Sequence, residues 1–305
     1  MKRIIITIII GVYSLCTSAQ QTPQFTQYMF NTISVNPGYA GSREALTVVG
    51  LHRSQWVGMD GGPTTQTLSI HSPLRNEKVG VGFSFINDKL GYENFNYLYA
   101  DFSYTINLSQ ETKLAFGVKG GFTYYNIDQA LLNDPDVYND PYFQEKLNRW
   151  TPNIGAGIYV HQPRWYVGVS SPKLIENDYN KNGNYVSFEQ MHFYTIAGYV
   201  FDLNDTGSVK MKPTGLVKLT KGAPASYDAT LSFLFNDKLW IGGSYRFEDS
   251  AGALVSFQLS KQLTLGYAYD YPISDLKPYT SGSHEIMLMF DFKFDKAKYK
   301  SPRYF

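Results

Sequence analysis

The chain has 305 residues, with 27 basic and 26 acidic side chains, so its charge is nearly balanced and it carries no basic footprint for nucleic acid. Its 25 Tyr, 20 Phe and 4 Trp make 16% of the residues, while charged residues make only 17%. So many large apolar groups exclude a disordered chain, a mean hydropathy below zero argues against a bundle of transmembrane helices, and the Gly, Val, Ile, Thr and aromatic load favours pleated structure.

Residues 1–19 read as a secretory signal peptide: Lys2 and Arg3, the apolar run Ile4 to Val12, then the small residues Thr17, Ser18 and Ala19. The apolar run is too short for a retained membrane helix, and Leu15 stands where a lipoprotein signal needs a small residue before Cys16. Cleavage after Ala19 removes the single cysteine, so neither a disulfide nor a thiolate metal site is expected in the mature fold. Residues 20–43 mix Pro23, Asn36, Pro37, Gly38 and Gly41 with Phe25, Tyr28, Met29, Phe30 and Tyr39. A loop with so many large side chains wants burial, and it is expected to form a plug-like segment.

From residue 44 to 294 the pattern is alternation with a period of two. Strands are predicted at 44–56, 64–72, 78–88, 94–107, 112–126, 152–161, 164–171, 188–202, 208–220, 225–236, 238–248, 250–260, 262–271 and 283–294. Each has one greasy face: Ile286, Leu288, Phe290, Phe292 and Phe294 oppose Glu285, Asp291 and Lys293, and Leu114, Phe116, Val118 and Phe122 oppose Lys113, Lys119 and Thr123. A soluble sandwich turns that face inward and a membrane barrel turns it outward, so alternation alone does not choose. Strand length favours the barrel, as do the aromatic residues near segment ends, including Trp56, Tyr92, Tyr104, Tyr124, Tyr125, Trp150, Trp165, Tyr199, Trp240 and Tyr271. Loop lengths agree: links after even-numbered strands are tight, and every long link follows an odd-numbered one, as periplasmic turns and external loops do. The expectation is an all-β, transmembrane antiparallel β-barrel of about fourteen strands, with both termini at the periplasmic face. Residues 295–305, with Lys296, Lys298, Lys300 and Arg303, form a basic periplasmic tail.

Catalytic chemistry is thin. His52, His71, His161, His192 and His284 are isolated, and no phosphate loop, nucleophile elbow or nucleotide fingerprint is present. Ser283 and His284 are adjacent on a strand and so point to opposite faces, which denies them a shared proton. The acidic stretch Asn133 to Asp140 lacks the glycine of a hand-type calcium loop and reads as a solvated loop tip. No enzyme activity, cofactor or metal is expected. Lys113, Lys119, Asp228, Arg246, Glu248, Asp270, Glu285 and Asp291 fall on polar faces, where packed networks that grip the plug are favoured over a solute-selective lining.

Several stretches together resemble the PorP/SprF outer-membrane proteins of the type IX secretion and gliding-motility system. They are Asn36-Pro37-Gly38-Tyr39-Ala40-Gly41, Arg53-Ser54-Gln55-Trp56, Pro63-Thr64-Thr65, Gly266-Tyr267-Ala268-Tyr269-Asp270, Ser281-Gly282-Ser283-His284-Glu285-Ile286 and the closing Ser301-Pro302-Arg303-Tyr304-Phe305. Gly38 departs from the alanine usual in the first. The resemblance implies an outer-membrane component that supports secretion or surface attachment of large adhesins by binding their C-terminal domain. Its expected partners are that cargo, other secretion components and outer-membrane lipid. A channel for diffusion or uptake of small or hydrophobic solutes is the alternative. The signature residues have expected jobs. Asn36, Pro37 and Gly41 form a turn threading the plug into the first strand. Arg53 offers a fork of donors to a carboxylate, and Trp56 joins an interfacial girdle. Gln55, Pro63, Tyr267, Tyr269, Asp270, Ser283, His284 and Glu285 shape the strands around the seam or contact partners.

Overall fold

The pattern along the strands is inside out. In Ser283–Phe292, Ile286 and Leu288 are exposed, whereas Glu285, Met287, Met289 and Asp291 are buried. In Lys113–Ile127, Phe116, Val118 and Phe122 are exposed, whereas Lys119 and Thr123 are buried. A sheet that buries charges and exposes Leu and Phe needs lipid outside it, and lipid offers no partner to an unpaired strand edge. The sheet therefore closes.

In this computed structural model, residues 23–128, 130–131, 148–179, 188–292 and 304–305 are described. Among them, fourteen strands form one antiparallel barrel. The strands are β1 (Leu46–Ser54), β2 (Thr64–Pro73), β3 (Val79–Leu90), β4 (Glu93–Asn107), β5 (Lys113–Ile127), β6 (Asn148–Gln162), β7 (Trp165–Ser171) and β8 (His192–Tyr199, continued past Val200 by Phe201–Asp202). They go on as β9 (Val209–Thr220), β10 (Ser226–Phe235), β11 (Leu239–Arg246), β12 (Ser250–Gln258), β13 (Leu263–Pro272) and β14 (Ser283–Phe292). Each strand pairs with its neighbours in sequence, and β1 closes on β14 in a register running from Leu46 opposite Phe292 to Ser54 opposite His284.

Two expected boundaries shift by four residues and the others by no more than two. β6 begins at Asn148, because Arg149 and Trp150 continue the ladder opposite Tyr125 and Tyr124 beyond Pro152. β8 begins at His192, and residues 188–189 instead pair with 177–178 in a separate ladder at the barrel mouth. The signal peptide, the acidic stretch Asn133 to Asp140 and the basic residues of the tail lie outside the described residues.

Not every terminal aromatic ring faces lipid. Tyr104, Trp150, Tyr199 and Tyr271 are exposed, and Tyr124 packs on Trp150 with ring centroids 4.8 Å apart. Tyr125 is buried, as the parity of the strand demands once Tyr124 faces out. Trp240 also points inward, onto the core. Trp56 has φ +55, which carries it off the strand, so it half-buries in the opening at the long-loop end instead of joining a girdle.

The apolar core is made by the N-terminal segment. Phe25, Tyr28, Met29, Phe30, Ile33, Val35, Tyr39 and Ala40 are buried against inward-facing Val49, Leu51, Tyr159, Tyr166, Ile196 and Met287 from around the barrel. Polar strand residues hold its backbone: Lys119 Nζ donates to Ile33 O (3.3 Å), Ser170 Oγ to Val35 O (2.8 Å) and Ser103 Oγ to Ala40 O (2.7 Å). The segment crosses the whole lumen. Pro23 and Gln24 line the mouth at the long-loop end, and Gly41 lies against Pro73 and Gly80 beside the tight β2–β3 turn. The expectation was of both termini at one face; the first described residues, Pro23 and Gln24, instead lie at the mouth opposite Tyr304 and Phe305. A single pass that joins β1 at its short-turn end enters the lumen from the opposite mouth. Tyr304 and Phe305 cap the short-turn end, where Tyr304 O accepts from Lys212 Nζ and Phe305 packs on Tyr166 with centroids 5.0 Å apart.

Candidate functional site: a luminal clamp and the cup above it

Three signature residues converge on the first turn of the luminal segment. Arg53 of β1 sits directly opposite Glu285 of β14, and Glu285 is opposite Ala268 of β13, two residues before Asp270. Successive inward positions on adjacent strands thus bring a guanidinium between two carboxylates. Arg53 Nη1 lies 2.8 Å from Asp270 Oδ2 and 3.2 Å from Glu285 Oε2. Glu285, fully buried, also accepts from the backbone N–H groups of Thr26 (2.9 Å) and Gln27 (2.8 Å). Thr26 Oγ1 donates to Asp270 Oδ2 (2.5 Å) and accepts from Arg53 Nη1 (3.0 Å). Buried charges survive when paired and hydrogen-bonded, and here their pairing organises the segment. Lower in the lumen Arg43 grips Asp291 through two nitrogens, at 2.8 and 3.3 Å, and Lys119 pairs with Asp101 at 3.0 Å. Burial raises the phenol pKa of Tyr28 and of Tyr39, so both stay neutral, and the Tyr28 hydroxyl donates to Thr214 Oγ1 (3.1 Å).

Asn36, Pro37, Tyr39 and Gly41 form the expected turn. Asn36 Oδ1 accepts from Gly38 N (2.9 Å), its Nδ2 donates to Ile158 O (3.0 Å), Pro37–Tyr39 makes a 3-10 turn, and Gly41 has φ +78. The Tyr39 ring packs edge-on to His71 and Tyr159, at 5.2 and 5.5 Å. What sequence reading missed is the seat. A Cβ at Gly80, Gly117 or Gly157 would overlap Ala40 O, Gly38 N or Asn36 Oδ1, so inward glycines of β3, β5 and β6 let the turn lie against the wall. Their signal was glycine and other small residues recurring on the inward parity of these strands, as Gly80, Gly82 and Ser84 on β3, Ala115, Gly117 and Gly121 on β5, and Gly155 and Gly157 on β6. At Gly38 itself a Cβ would find neighbours at 3.1 to 3.2 Å, tight but not closed to alanine.

The remaining signature residues divide. Gln55, Trp56 and Pro63 line the mouth; Gln55 N donates to Pro63 O (2.8 Å) and Trp56 N to Ser283 Oγ (3.2 Å). Tyr267, Tyr269 and His284 lie together on the outer wall, where the Tyr267 hydroxyl is 2.6 Å from His284 Nδ1 and Tyr269 OH donates to Ser281 O (2.5 Å). Ser283 is buried on the other face. The mouth is a cup of about 220 Å³ with a wall of Phe95, Tyr97 and Tyr179 and with Asp88, Glu93, Lys173, Glu189 and His192 among its polar lining. Pro23 and Gln24 complete that lining from the luminal segment. No motif marked the cup, because strand ends, loops and the luminal segment, far apart in sequence, build it.

An outward apolar belt, a closed ring of strands and a charged lumen define a transmembrane β-barrel of the outer-membrane type. The family model of the type IX secretion system membrane protein PorP/SprF matches residues 17–290. The chain belongs to that family, and it is an outer-membrane protein. Among solved structures it is similar to the outer membrane protein Omp33 of Acinetobacter baumannii, with 10% identity, TM-score 0.48 and coverage of 82% of this chain and 98% of that one. It is similar also to the CymD monoaromatic hydrocarbon channel, with 10% identity, TM-score 0.49 and coverage of 87% and 93%, and to the KdgM porin, with 8% identity, TM-score 0.39 and coverage of 81% and 100%. No curated protein matches the chain.

Proposed function

We propose that the protein is exported by its N-terminal signal peptide and works in the outer membrane as a non-enzymatic holder of secreted surface proteins, binding their C-terminal domain at the long-loop end, which faces the exterior. The observation that carries this reading is the occupied lumen. Family membership places the chain in type IX secretion, and a barrel whose interior is filled by Phe25 to Ala40, held by the Arg53 clamp, is built to present a surface. The alternative of a solute channel is less favoured for the same reason, since the lumen is packed with Tyr, Phe and Met side chains. The residues that would meet a partner are those of the mouth: Gln55, Trp56 and Pro63 beside the cup. Tyr267, Tyr269 and His284 on the outer wall suit contact with lipid or a neighbouring secretion component.

The test is deletion of the gene, followed by comparison of surface-bound and released proteins. Loss of one or more large adhesins from the surface is expected, together with their co-purification with the tagged wild-type barrel. Normal secretion and attachment of every surface protein would overturn the proposal.

A further inference from the structure

Two carboxylates of the cup, Asp88 and Glu93, make no ion pair among the described residues, and Asp88 is the more deeply buried of the two. Asp88 is 9% exposed and accepts a hydrogen bond from Thr65 Oγ1 at 2.6 Å; Lys173, committed to Glu189, attracts it only from beyond ion-pair distance. Burying an ionised carboxylate on a single neutral donor is costly, and a closed barrel has no need of a charge there. The register sets Asp88 directly opposite Phe95, whose ring belongs to the aromatic wall. Elsewhere in the cup, Lys173 displays the complementary chemistry. Its Nζ lies 3.6 Å from the Tyr97 ring centroid and 2.6 Å from Glu189 Oε1, so that a ring and a carboxylate together hold an ammonium. Asp88 and Phe95 offer the same two groups to a visitor.

We propose that the cup receives a lysine or arginine side chain of the protein held at the surface, with Asp88 as its counter-ion and Phe95 as the ring it packs on; this deepens, and rests on, the holder reading above. At about 220 Å³ the cup is smaller than sites for drug-sized ligands and suits one side chain rather than a domain. Its ionisable lining is acidic on balance, Asp88, Glu93 and Glu189 against Lys173, which favours a cation over a neutral sugar stacked on the same rings. Gln24, in the cup lining, stands two residues before Thr26 of the clamp, so a bound side chain would lie against the luminal segment.

The experiment uses the purified full-length protein in detergent and saturation-transfer NMR with four blocked tripeptides, Gly-X-Gly with X as Lys, Arg, Gln or Glu, and with maltotriose. The basic peptides are expected to bind about tenfold more tightly than the Gln peptide, Asp88→Asn to abolish most of that preference, and Phe95→Leu to weaken the basic peptides about threefold. Phe95→Leu keeps the question open to test if Asp88→Asn fails to reach the membrane. Equal binding of all four peptides, a preference unchanged in both variants, or binding of maltotriose alone would overturn the proposal. If the deletion strain has lost its adhesins while peptides bind without preference, this inference fails alone. If adhesins are unaffected by deletion, the holder reading fails and this inference fails with it.

Discussion

Arg53 of β1 reaches past the intervening β14 to Asp270 of β13, with Nη1 2.8 Å from Oδ2 and both side chains almost wholly buried. Between them Glu285 takes the backbone of Thr26 and Gln27. The first and last strands meet here, so closing the barrel and seating the luminal segment depend on the same three charges.

Arg53→Met removes the one ion-pair partner that the buried carboxylates of Asp270 and Glu285 have among the described residues. Breaking a buried pair by removing one partner costs about 3–5 kcal/mol, and this variant should lose an amount in that range. Urea titration of the purified barrel, followed by its gel mobility, reads the change. A loss below about 1 kcal/mol would show that the clamp is dispensable.

Gly117→Ala should displace the luminal turn, because the new Cβ meets the backbone of Pro37 and Gly38. Overpacking of this kind costs about 1–3 kcal/mol, and protease cleavage within residues 36–41 should appear while the barrel stays folded. Gly120→Ala on the same strand has nothing within 4 Å of its Cβ and should be silent. Equal protease resistance in both variants would count against the seat.

Val118 and Lys119 are neighbours with opposite fates, 56% and 4% exposed. Val118→Lys puts an ammonium into lipid and should cost about 2–4 kcal/mol if the residue lies near the membrane midplane. The same variant in a soluble protein would be nearly neutral, so folding yield into vesicles is the sensitive readout. An unaffected yield would place the Val118 face in water.

Removing residues 23–40 takes out the apolar filling and the partners of Lys119, Ser170 and Ser103. In planar bilayers the full chain should be electrically silent, and the shortened chain should show unitary conductance. Steady conductance through the intact protein would restore the channel reading.

The barrel was legible because lipid imposes one rule on every strand. Parity along the chain separates Phe116, Val118 and Phe122 from Lys119 and Thr123 without reference to anything distant. Parity does not say how a strand end leaves the sheet, and there the reading erred. The positive φ of Trp56 turned an expected girdle ring into part of the mouth; Trp240, expected in a girdle for its place near a segment end, shares the inward parity of Arg246 and packs on the core. The short stretches that resemble the PorP/SprF family pointed to Arg53, Asp270 and Glu285 as separate residues. That they form one clamp depends on the β1–β14–β13 register, which only closure sets.

Sequence by itself determined the strands, their greasy faces, the asymmetry of the loops and the need of residues 25–40 for burial, since each follows from local periodicity and side-chain size. The tertiary structure alone decided which way that segment runs through the lumen, which glycines make room for it and which carboxylates in the cup lack an ion pair. Those depend on groups brought within a few ångströms from strands far apart in the chain, and contact across a closed ring leaves no mark in the order of residues.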